Sequence, residues 1–162
     1  MAEVRFLCDA MLGGLARWLR AAGYDAAFAY GIDDGQLVRQ AQQDGWVILS
    51  SDSGLFDRNV IRTGLVRAVF VPRGLTMRQQ LAFVIRRLGL PILGMPRCMA
   101  CGGKLEEIPR ESVQHEAPPK TFAACERFWR CRHCGKLLWR GTHWQKIQRV
   151  LEDCASPEQW PE

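Results

Sequence analysis

The sequence predicts an α/β domain with a mostly parallel sheet flanked by helices, followed by a small zinc-ribbon module. Three observations carry that prediction. Short apolar runs alternate with segments of helical period over the first 90 residues, the pattern of βαβ units. Two Cys-x-x-Cys-Gly sequences then stand at 98–102 and 131–135, the pattern of a tetrathiolate metal site. The Pro/Gly-rich stretch 89–96, GLPILGMP, separates the two parts and reads as a linker.

In chain order, residues 4–8 (VRFLC) form a first apolar strand, suited to burial in a parallel sheet. Leu12, Leu15, Ala16 and Leu19 recur at helical spacing, and Gly23 stops that helix. Residues 24–30 supply a second strand. Asp34 is placed to cap a helix carrying Leu37, Val38 and Ala41, ending near Gly45. Residues 46–49 form a third strand, 51–60 a turn and short helix, and 65–71 a fourth strand. Thr76 caps a last helix whose apolar face is Leu81, Val84, Ile85 and Leu88. Residues 108–119 contain three prolines and read as a loop or ribbon tip. The organisation expected is a first domain over 1–90, a linker over 91–96, a zinc ribbon over 97–150 and an acidic tail over 151–162. Residues from about 155 onward are expected to fray.

Composition bounds the function classes. Of 162 residues, 48% are hydrophobic and 24% charged, which excludes a disordered chain. No apolar run approaches the roughly 18 residues of a membrane span. Glu3 and Arg5 interrupt any apolar leader, so no secretory signal is expected. A cytoplasmic, reducing location follows, in which seven cysteines favour metal ligation over disulfides. The charge is uneven. Residues 1–96 hold 11 Lys and Arg against 8 Asp and Glu, residues 97–150 hold 11 against 5, and residues 151–162 hold none against 4. The excess in the Cys-rich part is an electrostatic footprint for a polyanion, with a solvated charged surface as the plain alternative.

Cys98, Cys101, Cys131 and Cys134 are the candidate zinc ligands. Gly102 and Gly135 allow the positive φ that such knuckle turns commonly need. The 29 residues between the pairs (102–130) exceed the usual spacing, so the proline-rich insertion must loop out. Four thiolates leave no open position for a reacting water, so this zinc is structural. Phe128, Trp129, Arg130, Arg132, Lys136, Trp139, Arg140, His143 and Trp144 interleave aromatics with cations. That is the composition of single-strand nucleic-acid surfaces, where stacking contributes about 1–3 kcal/mol per base. Trp129 or Trp139 is expected to pack over the metal while Arg and Lys make the contacts. His143 is open between ligand substitute, phosphate contact and packing residue.

Asp9 follows the first strand, Asp52 the third, and Asp33 and Asp34 open the second helix. In a parallel α/β sheet all four can meet at the carboxyl edge of the strands, where ligands bind. Clustered carboxylates repel one another, and Mg2+ or Mn2+ offsets that repulsion while leaving room for phosphate. The plain reading is that Asp34 is a cap and Asp52 a turn residue. Arg17 and Arg20 stand three apart on the first helix and are candidate phosphate contacts or solvated side chains. Gly13 and Gly14 can admit a nucleic-acid backbone or make a tight turn.

At these residues the chain resembles a known family. The segments LCDAMLG (7–13), LARWLR (15–20) and GYD (23–25), the Asp33-Asp34 pair, VILSSD (47–52) and the paired knuckles followed by WRGTHW (139–144) are similar to the PIN-like ribonuclease domains named after the C-terminal region of the Mut-seven exonuclease. The resemblance covers about residues 3–150. It implies a PIN fold and a Mg2+- or Mn2+-dependent ribonuclease, with Asp9, Asp34 and Asp52 as acidic metal ligands and Asp33 as an alternative. Ser51 stands where similar domains often have Thr, retaining a hydroxyl that can support a ligand. Gly54 departs from the family, which often has a further acid there, and Asp57 is nearby. The expected function is a metal-dependent ribonuclease whose structural zinc ribbon aids RNA binding. The alternative is an inactive adaptor on RNA or a ribonucleoprotein such as the ribosome. A phosphatase is disfavoured because position 11 is Met.

Overall fold

The computed structural model describes residues 3–28 and 30–156. Strands β1 (Arg5–Cys8), β2 (Asp25–Phe28), β3 (Val47–Ser50) and β4 (Ala68–Phe70) form one wholly parallel sheet in the order β2-β1-β3-β4. Helices α1 (Gly13–Ala21), α2 (Asp34–Asp44), α3 (Asn59–Arg62) and α4 (Met77–Leu88) lie between or after these strands. The predicted mixed α/β architecture with helices flanking a parallel sheet is the one observed.

Alternation along each strand divides the core. Phe6, Cys8, Val47 and Leu49 face α1 and α4 with Leu15, Leu19, Leu81 and Ile85. Leu7 and Ile48 face the other side with Leu37, Val38, Ala41 and Leu55. Cys8 is therefore the small core hydrophobe expected. Gly13 and Gly14 make room for protein rather than nucleic acid. A Cβ at Gly13 would lie 3.0 Å from the Phe28 ring, and one at Gly14 would lie against the Met77 methyl.

The stretch expected to be a linker is a packed strap. Leu90 and Ile92 pack on the core, Leu93 N–H donates to Ala22 O, and Tyr24 Oη donates to Pro91 O at 2.6 Å. Gly23, at φ +105°, ends α1 where the Leu93 side chain leaves no space for a Cβ.

The Cys-rich part is a three-stranded antiparallel sheet of β5 (Leu105–Ile108), β6 (Phe128–Cys131) and β7 (Leu137–Trp139). The proline-rich insertion is more than a loop. It holds a 3-10 turn (Arg110–Val113) and α5 (Pro119–Ala124). Val113 and Ala117 are buried against Phe128, with Phe122 packed beside them. The ribbon thereby has a small apolar core of its own, which the spacer length alone did not reveal.

The chain closes with α6 (Thr142–Ala155), where sequence reading placed a ribbon end and an acidic tail. Ile147, Val150, Leu151 and Cys154 on α6 are buried in the same core as α1 and α4. The helix runs unbroken across the boundary expected at 150/151. Of the end expected to fray from about residue 155, Ala155 still belongs to α6 and Ser156 N–H caps the helix by donating to Glu152 O and Asp153 O; residues 157–162 lie outside the described residues. Among the described residues no helix is long and apolar enough to cross a membrane.

Candidate functional site

The carboxyl edge of the parallel sheet gathers the acids. Asp9 leaves β1 with its N–H on Leu49 O of β3, so the ends of these neighbouring strands are joined at the site. Its carboxylate accepts from Met11 N–H at 2.9 Å, Ser50 Oγ at 2.5 Å and Ser51 N–H at 3.2 Å. Asp9 is thus held in one orientation from two strands. Ser50 Oγ also accepts from Asp52 N–H at 3.0 Å, and Asp52 accepts from Gly54 N–H at 2.9 Å. One hydroxyl therefore ties Asp9 to Asp52.

The supporting hydroxyl is Ser50, not Ser51. Ser51 Oγ donates instead to Val71 O at 2.7 Å inside the protein. The cap of α2 is likewise one residue earlier than expected. Asp33 accepts from Gln36 N–H and Gln36 returns the bond in a capping box. Asp33 is thereby occupied, and Asp34, in the first turn of α2, is free of capping. Asp34 carries the electrostatic signature of the cluster. Burial raises its pKa above the usual carboxylate range, and the charges of Asp52 and Asp9 raise it further, against a lowering by Arg58. Arg58 escaped sequence reasoning because nothing local marks it; only the fold carries it to the start of α2. Among the described residues no Lys or Arg lies within ion-pair distance of Asp9, Asp34 or Asp52. Asp57 is exposed in the 3-10 turn Ser53–Asp57. A Cβ at Gly54 would lie 3.3 Å from the Asp52 carboxylate, so the missing acid is missing beside the cluster.

The donor set of three aspartates suits a hard divalent cation. Among the described residues it is the four cysteines, not the aspartates, that form a close group of ligand atoms, their sulfurs all within 4.8 Å of one another. Cys98 and Cys134 Sγ are 3.8 Å apart, and Cys101 and Cys131 Sγ are 3.4 Å apart. Tetrahedral zinc with Zn–S bonds of about 2.3 Å needs sulfurs about 3.8 Å apart, so this group fits. Gly102 (φ +83°) and Gly135 (φ +76°) make the turns anticipated after each knuckle. Burial pushes the Cys101 thiol up to about 12. At Cys131 burial also raises the thiol, but N–H donors from Cys134 and His133 outweigh it and bring it down to about 6. His133 itself is exposed.

The cations proposed from sequence divide into two groups. Arg20 is buried and donates to Ala26 O at 2.8 Å, Met99 O at 3.0 Å and Ala100 O at 3.3 Å. It fastens the first knuckle to α1 and β2, so it is a structural staple and not a solvent-facing phosphate contact. Arg130 pairs with Glu116 and Arg132 with Glu106, which commits both within the ribbon. Arg17, Lys136, Arg140 and His143 instead line a cavity of about 260 Å³ between the ribbon, α1 and α6. Trp129, Trp139 and Trp144 line it too. Trp129 is buried, with the Arg127 and Arg140 guanidinium groups 5.1 and 5.0 Å from its ring.

Comparison with known proteins agrees with this layout. A family model described as the Mut7-C RNAse domain matches residues 4–151. A human protein described as an exonuclease mut-7 homolog is 34% identical over 101 residues, which is 60% of this chain and 11% of that protein. The chain therefore spans a small part of that relative's length. The family match runs from the first strand of the acid-bearing sheet through both knuckles into the packed final helix, and on that extent the chain belongs to the Mut7-C RNAse domain family.

Proposed function

We propose that this chain hydrolyses RNA phosphodiester bonds at the sheet edge, with Mg2+ or Mn2+ held by Asp9, Asp34 and Asp52 on a PIN-type scaffold. One observation carries the reading: among the described residues, three carboxylates from three separate segments stand at the carboxyl edge with no Lys or Arg in ion-pair distance, and burial, joined by the Asp52 and Asp9 charges, raises the Asp34 pKa against a lowering by Arg58. Such a cluster is costly unless a cation offsets it. A divalent cation supplies water activation and neutralisation of phosphoryl charge. Asp9, fixed by Ser50 and Ser51, holds the cation side of the substrate in place. Asp52 is oriented by Gly54 N–H and by its link to Ser50. Asp34, in the first turn of α2, adds the third carboxylate from a separate segment.

Zinc in the four-cysteine site folds the ribbon, and the ribbon presents RNA to the sheet edge. Unpaired thiols accord with a reducing, cytoplasmic setting, and a ribonucleoprotein such as the ribosome is one source of RNA for a chain of this kind. Cleavage of a labelled RNA with added Mn2+ tests the reading. Wild type is expected to cleave, and Asp9→Asn to lose about two orders of magnitude or more, with RNA affinity in the absence of Mn2+ retained. RNA binding without Mn2+-stimulated cleavage by wild type would leave the adaptor reading in its place.

A further inference from the structure

The cavity between the ribbon and the body has properties that nucleolytic chemistry does not require. None of the residues lining it is acidic, while Arg17, Arg97, Lys136, Arg140 and His143 bring positive or protonatable groups to its walls. Trp139 and Trp144 are only partly buried there, so part of each indole is uncovered. Arg97 is held by Asp25 at 3.5 Å, yet its Nε is buried with no hydrogen-bond partner. Buried donors of that kind are rare and call for an acceptor. The volume of about 260 Å³ lies just below the range of small-molecule sites, which run from about 300 to 1,000 Å³. It suits one flat group rather than a helix or an extended peptide.

We infer that this cavity takes a single unpaired nucleotide of the RNA, with its base among Trp139 and Trp144 and its phosphate on Arg17, Lys136 and Arg140. The inference rests on RNA being the substrate. Two structural facts and one general property of aromatic faces narrow the occupant further. Arg127, Arg130 and Arg132 are paired with glutamates of the ribbon, whereas among the described residues Arg17, Lys136 and Arg140 on the cavity have no carboxylate within ion-pair distance. Aromatic faces recognise bases that have left a stack, which excludes the paired bases of a duplex. Arg17 also sits one turn into α1, about 6 Å along the axis from Gly13 at 1.5 Å per residue, and α1 begins directly after the turn that Asp9 caps. A strand with one phosphate at Asp9 therefore has the cavity within reach of a nearby nucleotide. The pocket would make the enzyme select single-stranded RNA and would set where along the strand the cut falls.

The test uses the full, zinc-loaded chain without added Mg2+ or Mn2+. A five-residue oligoadenylate is titrated in, read by tryptophan fluorescence and by anisotropy of a labelled copy. Quenching of tryptophan emission is expected, together with at least tenfold weaker binding by Arg17→Glu and by Lys136→Glu. Both positions are exposed, so folding is retained. Arg87→Glu, an equal charge change on exposed α4 surface away from the cavity, is expected to bind as wild type. Equal losses in all three variants, or an abasic pentamer binding as tightly as the oligoadenylate, would overturn the pocket. Displacement of the oligoadenylate by a penta-glutamate peptide at the same concentration would overturn it as well. Cleavage by wild type with unchanged binding in the cavity variants sinks the pocket alone. Cavity-dependent binding without Mn2+-stimulated cleavage supports the pocket and sinks the hydrolase.

Discussion

Ser50 and Ser51 are adjacent hydroxyls with different partners, because side chains of a strand alternate between faces. Ser50 meets the two aspartates, whereas Ser51 is turned inward to Val71 O. A one-residue difference of the same kind separates Asp33 from Asp34. The capping box takes Asp33 and leaves Asp34 among the acids. Because the folded-state pKa of Asp34 is raised, protonation favours the folded chain. That contribution is full below the unfolded carboxyl value of about 3.9 and is lost as pH rises through the folded value. At neutral pH without divalent cation, Asp34→Asn should therefore raise Tm, by about 1–2 °C for a partly exposed site in a chain of this size. The gain should vanish near pH 3, and Mn2+ should stabilise wild type more than the variant. Thermal melts at the two pH values check both. Arg20 makes a different kind of prediction. Arg20→Met removes the donors to three carbonyls and is expected to cost about 2–4 kcal/mol in urea unfolding, since buried acceptors left unpaired cost about 1–3 kcal/mol each. A phosphate contact would instead lose RNA affinity with stability unchanged.

At the scale of elements, α6 is the main difference between pattern and fold. Trp144, Ile147, Leu151 and Cys154 recur at helical spacing, so the stripe is present in the sequence. The basic residues at its start and acidic ones at its end drew attention to charge, which does not report burial. The helix joins α1 and α4 over one core. Leu151→Ala, at a side chain 2% exposed, should destabilise the whole chain by about 2–5 kcal/mol, measured as a single shifted denaturant midpoint. A free acidic tail would show no shift. The long spacer between the knuckles is accounted for in the same way. It returns to cover Phe128, stacking Phe122 on that ring with centroids 6.2 Å apart, and so supplies apolar contacts that two metal knuckles alone would lack.

For the whole molecule, the basic excess of residues 97–150 is partly spent inside the ribbon on Glu106, Glu107 and Glu116. The cations that line the cavity are then among those left to meet a polyanion. Three or four phosphate contacts predict that log affinity for single-stranded RNA falls against log salt with a slope of about −2 to −3, from roughly −0.7 per contact. Binding titrations at several salt concentrations check this, and a slope near zero would remove the polyanion as partner.

The strand and helix alternation, the caps at Thr76 and near Asp34, and the two Cys-x-x-Cys turns were legible from residue order because each depends on neighbours within a few positions. Spacing and turn chemistry are local, and a Cys-x-x-Cys-Gly knuckle forms from its own five residues. The roles of Arg20, Arg130 and Arg132 were not legible, since a long cation looks the same in sequence whether it faces water, a glutamate or three carbonyls. Nor was the meeting of Arg17 with Lys136 and Arg140 across more than a hundred residues. Those outcomes belong to tertiary structure, because burial and charge pairing are decided by which distant segments the packed core brings together.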